Sequence, residues 1–536
     1  MKPYYGLTGT KLNIAIAIIA GTDFALFGYD QGVMGGLLTL PSFLRIFPEI
    51  DTQHPPAGSN ASQTSNVQGI TVGAYTLGCF FGAVATIWLG NLLGRKRTIF
   101  TGSSIMIVGA AIQTSSFTLR QLIVGRLITG FGNGMNTSTV PTWQSETSKA
   151  HRRGQMVMIE GSLIVFGVML SYWIDLGFSF LEPSTISWRF PIGFQILLAL
   201  FIVIMIPGLP ESPRWLVLKG RDEEAVRVLC ALSELPEDDT RIQNEYKEMK
   251  DVVFEMSKGS FGDCFKRNKN RQVDLISLCS NKVVSGINII TYYAATIFEN
   301  NIGLSGFLSR LLAALNGTEY FIASWVAIFT IERFGRRGLM LFGAIGQACS
   351  MAVLAGTTSS VTTSSGIAAA VFLFVFNSFF AIGWLGMTWL YPAEITPLAI
   401  RAPANAISTT ANWIFNFMVV MVTPVAFANI QWKTYVVFAC INAFMVPCVY
   451  FFFPETAGRS LEEMDEIFHD IHGIRGAFDV VRVAKTKPRR YGKHGELLIN
   501  YEETAEAHHV AERRRSSVAA AQDAEKAHAE HHNGGS

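Results

Sequence analysis

The stretch Glu332-Arg333-Phe334-Gly335-Arg336-Arg337 stands between two long apolar runs, and Gly94-Arg95-Lys96-Arg97 stands between two others. Two more motifs also occur twice. In the first, an arginine follows a glutamate by seven residues, at Glu146 with Arg153 and again at Glu394 with Arg401. The second is the segment 210–214, which is repeated at 454–459. The three repeats are offset by 241, 248 and 244 residues. A nearly constant offset predicts two related halves of the chain.

The chain around these motifs is apolar. Its 536 residues are 49% hydrophobic and 16% charged, whereas average soluble domains carry about 25% charged residues. Apolar runs long enough to cross a bilayer as helices begin near Leu12, Val67, Thr98, Leu119, Met156, Phe190, Asp274, Leu308, Leu339, Ile367, Ala402 and Tyr435. The sequence therefore predicts an all-α membrane protein with twelve transmembrane helices in two pseudo-symmetric six-helix halves.

Two polar regions complete the expected domain plan. The halves are expected at 1–208 and 273–452, with a cytoplasmic helical loop at 209–272 and a cytoplasmic tail at 453–536 that is largely disordered beyond about 475. Basic clusters follow even-numbered runs, and the positive-inside rule makes that side cytoplasmic. We therefore expect a multi-pass protein of the cell membrane with both termini in the cytoplasm. Asn60, in the first outer loop, is a candidate glycosylation site.

Composition and spacing also argue against several classes of protein. A net charge of +2 gives no basic field of the kind that binds nucleic acid, and the 7 cysteines are scattered without the spacing of a metal site. No apolar run carries a nucleophile with a base, a phosphate-binding loop or a set of metal ligands. We therefore expect no enzyme activity, no metal and no cofactor. We expect a monomer that interacts with lipid, with a small-molecule substrate and with the proton.

Several longer motifs resemble the sugar porter family of the major facilitator superfamily, and the match covers residues from about 20 to 470. They lie at 27–30, 125–126, 209–215, 285–288, 332–337, 412–413 and 454–464. Within the family, 136–146 and 160–162 resemble the fungal branch that includes glycerol/proton symporters. The resemblance implies a secondary active transporter that takes up a sugar or polyol with a proton by alternating access.

A carboxylate in the first apolar run is the candidate for proton coupling. Asp30 lies in mid-span, where an ionised carboxylate costs a few kcal/mol or more unless it is paired. Arg126, in the fourth run, is the expected partner. Such a pair forms when the carboxylate is ionised and parts when it is protonated, so a proton can bias it. The resemblance implies the same role, although a static structural pair is the alternative.

The repeated charges at the helix ends are candidates for a cytoplasmic gate. The resemblance implies a network that closes this side and breaks when the halves part. Its expected members are Arg95, Glu146, Arg153, Arg333, Arg336, Glu394 and Arg401.

The expected substrate site combines hydrogen-bonding side chains with aromatic rings. Its candidates are Asn288, Tyr292, Trp384, Asn412 and Trp413. Four usual sugar-binding side chains of the family are absent, since Lys282, Val283, Gly161 and Tyr320 stand in their places. Recognition of glucose in the usual way is therefore in doubt.

Lys282 leaves the substrate class open. It either pairs with Glu160, which precedes Gly161, or binds an anionic substrate such as a uronic acid or another hydroxy acid. Facilitative uniport and a non-transporting nutrient sensor are the further alternatives to symport.

Overall fold

The computed structural model describes residues 3–147, 153–258, 285–360, 362–396, 401–457, 459, 464, 467 and 473–486. Within these ranges the secondary structure is helical, and no strand occurs in this part of the chain. Lys282 and Val283 lie outside the described residues, as do the side chains of Arg153 and Arg401.

The first half contains six long helices and one short one. They are α1 (Gly9–Leu37), the short α2 (Pro41–Ile46), α3 (Ala61–Leu93), α4 (Arg95–Thr114), α5 (Leu119–Thr147), α6 (Arg153–Ser179) and α7 (Ile186–Met205). Asn60 precedes α3 and is exposed, so glycosylation there remains a prediction.

Three helices follow the first half. They are α8 (Pro213–Leu218), α9 (Asp222–Ser233) and α10 (Thr240–Lys258). One face of α9 is buried, and its first turn carries three acidic side chains, which suit the positive end of a helix dipole. The Asn13 side-chain amide donates to the Leu232 carbonyl at 3.2 Å, and the Thr8 hydroxyl donates to the Glu234 carboxylate at 2.8 Å. These bonds attach the end of α9 to the beginning of α1.

The second half repeats the plan of the first. Its helices are α11 (Ile287–Thr296), α12 (Gly306–Ser359), α13 (Thr363–Gly383), α14 (Met387–Ile395), α15 (Arg401–Ile430) and α16 (Lys433–Phe452). Gly335 has non-helical dihedrals and divides α12 into two spans, Gly306–Ile331 and Arg333–Ser359. A final helix, α17 (Gly473–Thr486), extends the described structure beyond 475.

Hydropathy alone identifies nine membrane-spanning helices among the described residues. The described parts of α4, α5 and α11 fall outside this set. α4 and α5 are rich in glycine and polar residues and include Arg95 and Arg126, whereas α11 is described only from Ile287. They complete the predicted twelve-helix bundle, and the fold class is confirmed.

Glycines allow α3 and α5 to touch along their backbones. A Cβ atom at Gly78 would lie 2.2 Å from the Leu127 carbonyl oxygen, and one at Gly130 would lie 2.0 Å from the Tyr75 carbonyl oxygen. Gly82 and Gly134 repeat this contact one turn further along each helix. Small residues at a spacing of four are the usual means by which membrane helices approach closely.

The two ends of the bundle differ in charge and in how the halves meet. We call the end with Arg95 and Arg336 the basic end, and the end with Thr39 and Arg310 the opposite end. At the opposite end, the Arg310 guanidinium donates to the Thr39 carbonyl of the other half at 3.0 Å. Near the middle, the hydroxyls of Ser162 and Ser324 are 2.7 Å apart. The described hydrogen bonds between the halves thus lie in the middle and at the opposite end.

Replacing Gly335 by alanine is expected to destabilise the protein. Its φ of 76° lies in the left-handed region, and an added Cβ would lie 2.5 Å from the Glu455 carboxylate. We expect Gly335→Ala to lower the free energy of unfolding by about 1–2 kcal/mol, as measured by thermal unfolding in detergent. Gly338→Ala is the matched control, since a Cβ there meets nothing within 4 Å. Equal stability of the two variants would contradict the requirement for glycine at position 335.

Candidate functional site

A cavity lies between the two halves. It encloses about 580 Å³ of space, a figure that includes its open mouth. Its hydrogen-bonding side chains are Gln31, Asn288, Thr291, Tyr320, Thr388, Asn412 and Asn416, and its aromatic rings include Phe27, Phe380 and Trp389. Amides and hydroxyls both donate and accept hydrogen bonds. The lining therefore suits a small neutral molecule with several hydroxyl groups.

Two of the predicted substrate residues line this cavity directly. They are Asn288 on α11 and Asn412 on α15. Sequence reasoning missed Thr291 and Asn416, which lie three and four residues further along the same helices. The signal was available, because side chains at these spacings share a helix face.

Two other predicted residues form the layer behind the lining. The Trp413 ring is fully buried and packs edge-on against Phe27 at 5.2 Å and near Tyr75 at 6.4 Å. The Tyr292 side chain is also fully buried, one helical turn beyond Asn288. Both rings thus support the cavity wall.

Trp384 and Glu160 are not among the described side chains that line the cavity. The Trp384 indole donates to the Met340 carbonyl at 3.1 Å and packs against Gly343. Glu160 is buried on α6, one turn before the lining residue Ile164. The proposed pairing of Glu160 with Lys282 stays a prediction, because Lys282 lies outside the described residues.

Asp30 and Arg126 are both fully buried in the first half. Neither carboxylate oxygen of Asp30 has a hydrogen-bonding partner among the described residues, and the same holds for Nε and Nη1 of Arg126. Arg126 instead donates from Nη2 to the Val72 carbonyl at 3.3 Å and lies over the Tyr75 ring at 5.5 Å. The two charged groups are neighbours but are not bonded to each other.

Gln31 and Tyr292 connect this pair to the cavity. Gln31 follows Asp30 in α1 and lines the cavity, and its side chain lies beside the Tyr292 hydroxyl. Tyr292 in turn lies close enough to Arg126 and Asp30 to interact electrostatically with both. A molecule in the cavity and a charge change at Asp30 therefore act on the same group of side chains.

At the basic end of the first half, the predicted Arg95 and Glu146 form an ion pair. Nε and Nη2 of Arg95 donate to the two Glu146 oxygens at 3.0 and 3.2 Å. The Ser212 hydroxyl donates to the same carboxylate at 2.6 Å. The Glu211 carboxylate accepts the backbone N–H groups of Arg95 and Lys96 at 3.0 and 3.2 Å, and so caps α4.

The second half repeats this arrangement. Nη2 of Arg336 donates to the Glu394 carboxylate at 3.1 Å, and the Thr456 hydroxyl donates to Glu394 at 2.6 Å. Glu455 accepts the backbone N–H groups of Arg336 and Arg337 at 2.8 and 3.0 Å. Each described ion pair of the basic end thus lies within one half.

Glu211, Ser212, Glu455 and Thr456 are the residues of this site that sequence reasoning left without a role. The sequence carried one signal for these residues, because the segment 210–214 is repeated at 454–459. The repeat showed that the two segments are related, but not that their side chains bond to the ion pairs or cap the neighbouring helices. The predicted Arg333, by contrast, has an exposed side chain.

Comparison with known proteins agrees with this architecture. The family model described as "Sugar (and other) transporter" matches residues 14–468. The chain is 38% identical to the MFS-type transporter oryC of Aspergillus oryzae, over 98% of this chain and 97% of the relative. It is 40% identical to the sugar transporter STL1 of Saccharomyces cerevisiae, over 87% and 83%.

A solved structure has the same fold. The MFS proton:xylose symporter XylE from E. coli, solved with 6-bromo-6-deoxy-D-glucose bound, matches with a TM-score of 0.74 and 24% identity. The match covers 86% of this chain and 99% of XylE.

Removing the Glu146 carboxylate is expected to loosen α4 against α5 at the basic end, and so to widen access from that end to the cavity. Glu146→Ala leaves Arg95 and the Ser212 hydroxyl without their shared acceptor. A shift of about 1 kcal/mol would raise the open fraction about fivefold. The measurement is the rate at which a cysteine placed at Thr388 reacts with a thiol reagent added from the basic end. Glu224→Ala, which removes an exposed pair with Arg221, is the control, and equal rates in both variants would contradict a gate.

Proposed function

We propose that this chain, which belongs to the sugar (and other) transporter family, takes up a neutral sugar or polyol together with a proton. The chain is a membrane transporter and not an enzyme. We place it in the cell membrane with the basic end and both termini in the cytoplasm. The positive-inside rule supports this orientation.

Proton coupling is supported by the state of Asp30, which is the observation that carries the proposal. A buried carboxylate and a buried guanidinium lie near each other without a direct bond. Such groups attract each other strongly when the carboxylate is ionised and weakly when it is protonated. Protonation of Asp30 therefore weakens its attraction for Arg126, and Tyr292 and Gln31 pass the change to the cavity.

Alternating access is supported by the placement of the contacts between the halves. The bonds across the opposite end, such as Arg310 with Thr39, must break for that end to open. At the basic end, each described ion pair holds helices of its own half together. Such pairs strengthen each half as a unit, and transporters with related halves move one half against the other.

A neutral substrate is supported by the described lining of the cavity. Its polar groups are amides and hydroxyls, and none of its described side chains is charged. Because sugars and polyols present several hydroxyl groups beside apolar C–H faces, the amides and the Phe27 ring are suitable partners.

Replacing Asp30 by asparagine is expected to abolish accumulation. With one proton per substrate, a pH difference of two units supports up to about hundredfold accumulation. We expect this in the wild type and a ratio near one in Asp30→Asn. The measurement is uptake of labelled D-sorbitol, D-xylose or D-glucose into proteoliposomes with an imposed pH gradient.

Asp238→Asn is the matched control, because Asp238 is an exposed carboxylate before α10. If the Asp30→Asn variant still concentrates the substrate, Asp30 has no role in proton coupling. A wild type that only equilibrates the probes, whatever the gradient, would identify a uniporter.

Replacing Asn412 by alanine is expected to weaken substrate binding. Loss of a buried hydrogen-bonding group costs about 1–3 kcal/mol, which raises KM roughly 5- to 150-fold. Asn429→Ala is the control on the same helix, since Asn429 is exposed and bonds to the backbone of its own helix. Sugar acids should not compete with the labelled probe, and strong competition by them would favour an anionic substrate.

A further inference from the structure

A second buried carboxylate, Asp23, lies two helical turns before Asp30 on α1. Seven residues correspond to about 10 Å along a helix and return to nearly the same face. Asp23 is 1% exposed, and its Oδ1 accepts a hydrogen bond from Asn136 Nδ2 at 2.6 Å. Its Oδ2 has no partner among the described residues.

The surroundings of Asp23 are polar but carry no described cation. Asn136 on α5 faces it, and Ser103 on α4 accepts from the same Asn136 amide at 2.9 Å. On the α6 side, the apolar Leu163 lies beside Gly21, two residues before Asp23. An ionised carboxylate without a cation is costly inside a membrane, so a purely structural role is a poor explanation for this residue type.

Buried polar side chains connect Asp23 to Asp30 through the first half. From Asp23 the row passes to Asn136 and Asn133 on α5, where Asn133 donates to the Cys79 thiol at 3.4 Å. Tyr75 lies one turn from Cys79 on α3, and Arg126 lies over its ring. The helices run close together here because Gly130 and Gly134 let α5 touch α3.

Every side chain of this row except Cys79 has an unsatisfied buried atom. These atoms are Asp23 Oδ2, Asn136 Oδ1, Asn133 Oδ1, the Tyr75 hydroxyl, Arg126 Nε and Nη1, and both Asp30 oxygens, none of which has a partner among the described residues. Buried polar atoms are rarely left unpaired, and bound water is the usual partner in such places. A row of waters along these atoms would also conduct protons.

We propose that Asp23 is the second carboxylate of the proton route, and that it receives the proton released by Asp30 through this row. The proton leaves a carboxyl oxygen of Asp30, passes along water bound at the unsatisfied atoms of the row, and binds a carboxyl oxygen of Asp23 on the side nearer the basic end. The inference rests on the proposed proton symport. It adds a residue that lies away from the cavity and from the pair of Asp30 and Arg126.

The test is proton-driven accumulation by the full-length protein in proteoliposomes. The probe is the best transported of labelled D-sorbitol, D-xylose and D-glucose. In Asp23→Asn we expect the accumulation ratio to fall at least about tenfold, while exchange of labelled for unlabelled probe continues. Thr22→Val is the matched control, because its hydroxyl bonds only to the Ile18 carbonyl of its own helix among described groups.

A second variant covers the case in which Asp23→Asn does not reach the membrane. Asn133→Val keeps both carboxylates but interrupts the row, and we expect substrate-driven proton uptake to slow relative to probe exchange. Accumulation and proton uptake at wild-type levels in either variant would overturn the role of Asp23 and leave symport intact. A wild type that moves no proton with the probe would overturn symport itself.

Discussion

Polar groups inside a membrane protein have little water to bind, and this constraint explains much of the structure. In the interior, the buried Asp23 bonds to Asn136 and the buried Asn133 bonds to Cys79, so α1, α3 and α5 supply polar partners to one another. At the basic end, each glutamate of an ion pair takes a second hydrogen bond from Ser212 or Thr456. The unpaired atoms of Asp30 and Arg126 belong to charged side chains, which are costly inside a membrane and are therefore candidates for function.

The fold could be predicted from the sequence because its signals are local and repeated. Apolar runs fix the helices, and the offset of the motifs at Gly94 and Gly335 fixes the relation of the halves. Hydropathy was weakest for α4 and α5, since their glycines and polar residues suit contact with other helices better than contact with lipid. Their apolar runs, which begin near Thr98 and Leu119, were still long enough to predict both helices.

The site could be predicted only in part, because side-chain direction depends on tertiary packing. Asn288 and Asn412, which line the cavity, were named from their motifs, and Arg95 and Glu146 were expected in one network because each belongs to a motif repeated in the second half. Trp384 was expected to contact substrate, but its indole bonds to the Met340 carbonyl. Asp23 could not be singled out, because its meaning comes from Asn136, which is distant in sequence and adjacent in space.

The attachment of α9 to α1 joins the region between the halves to the first half. Thr8 and Asn13 bind this helix at Glu234 and Leu232, so it follows the first half as one rigid piece. Whatever binds or modifies its exposed face acts on one half of the molecule and not on both.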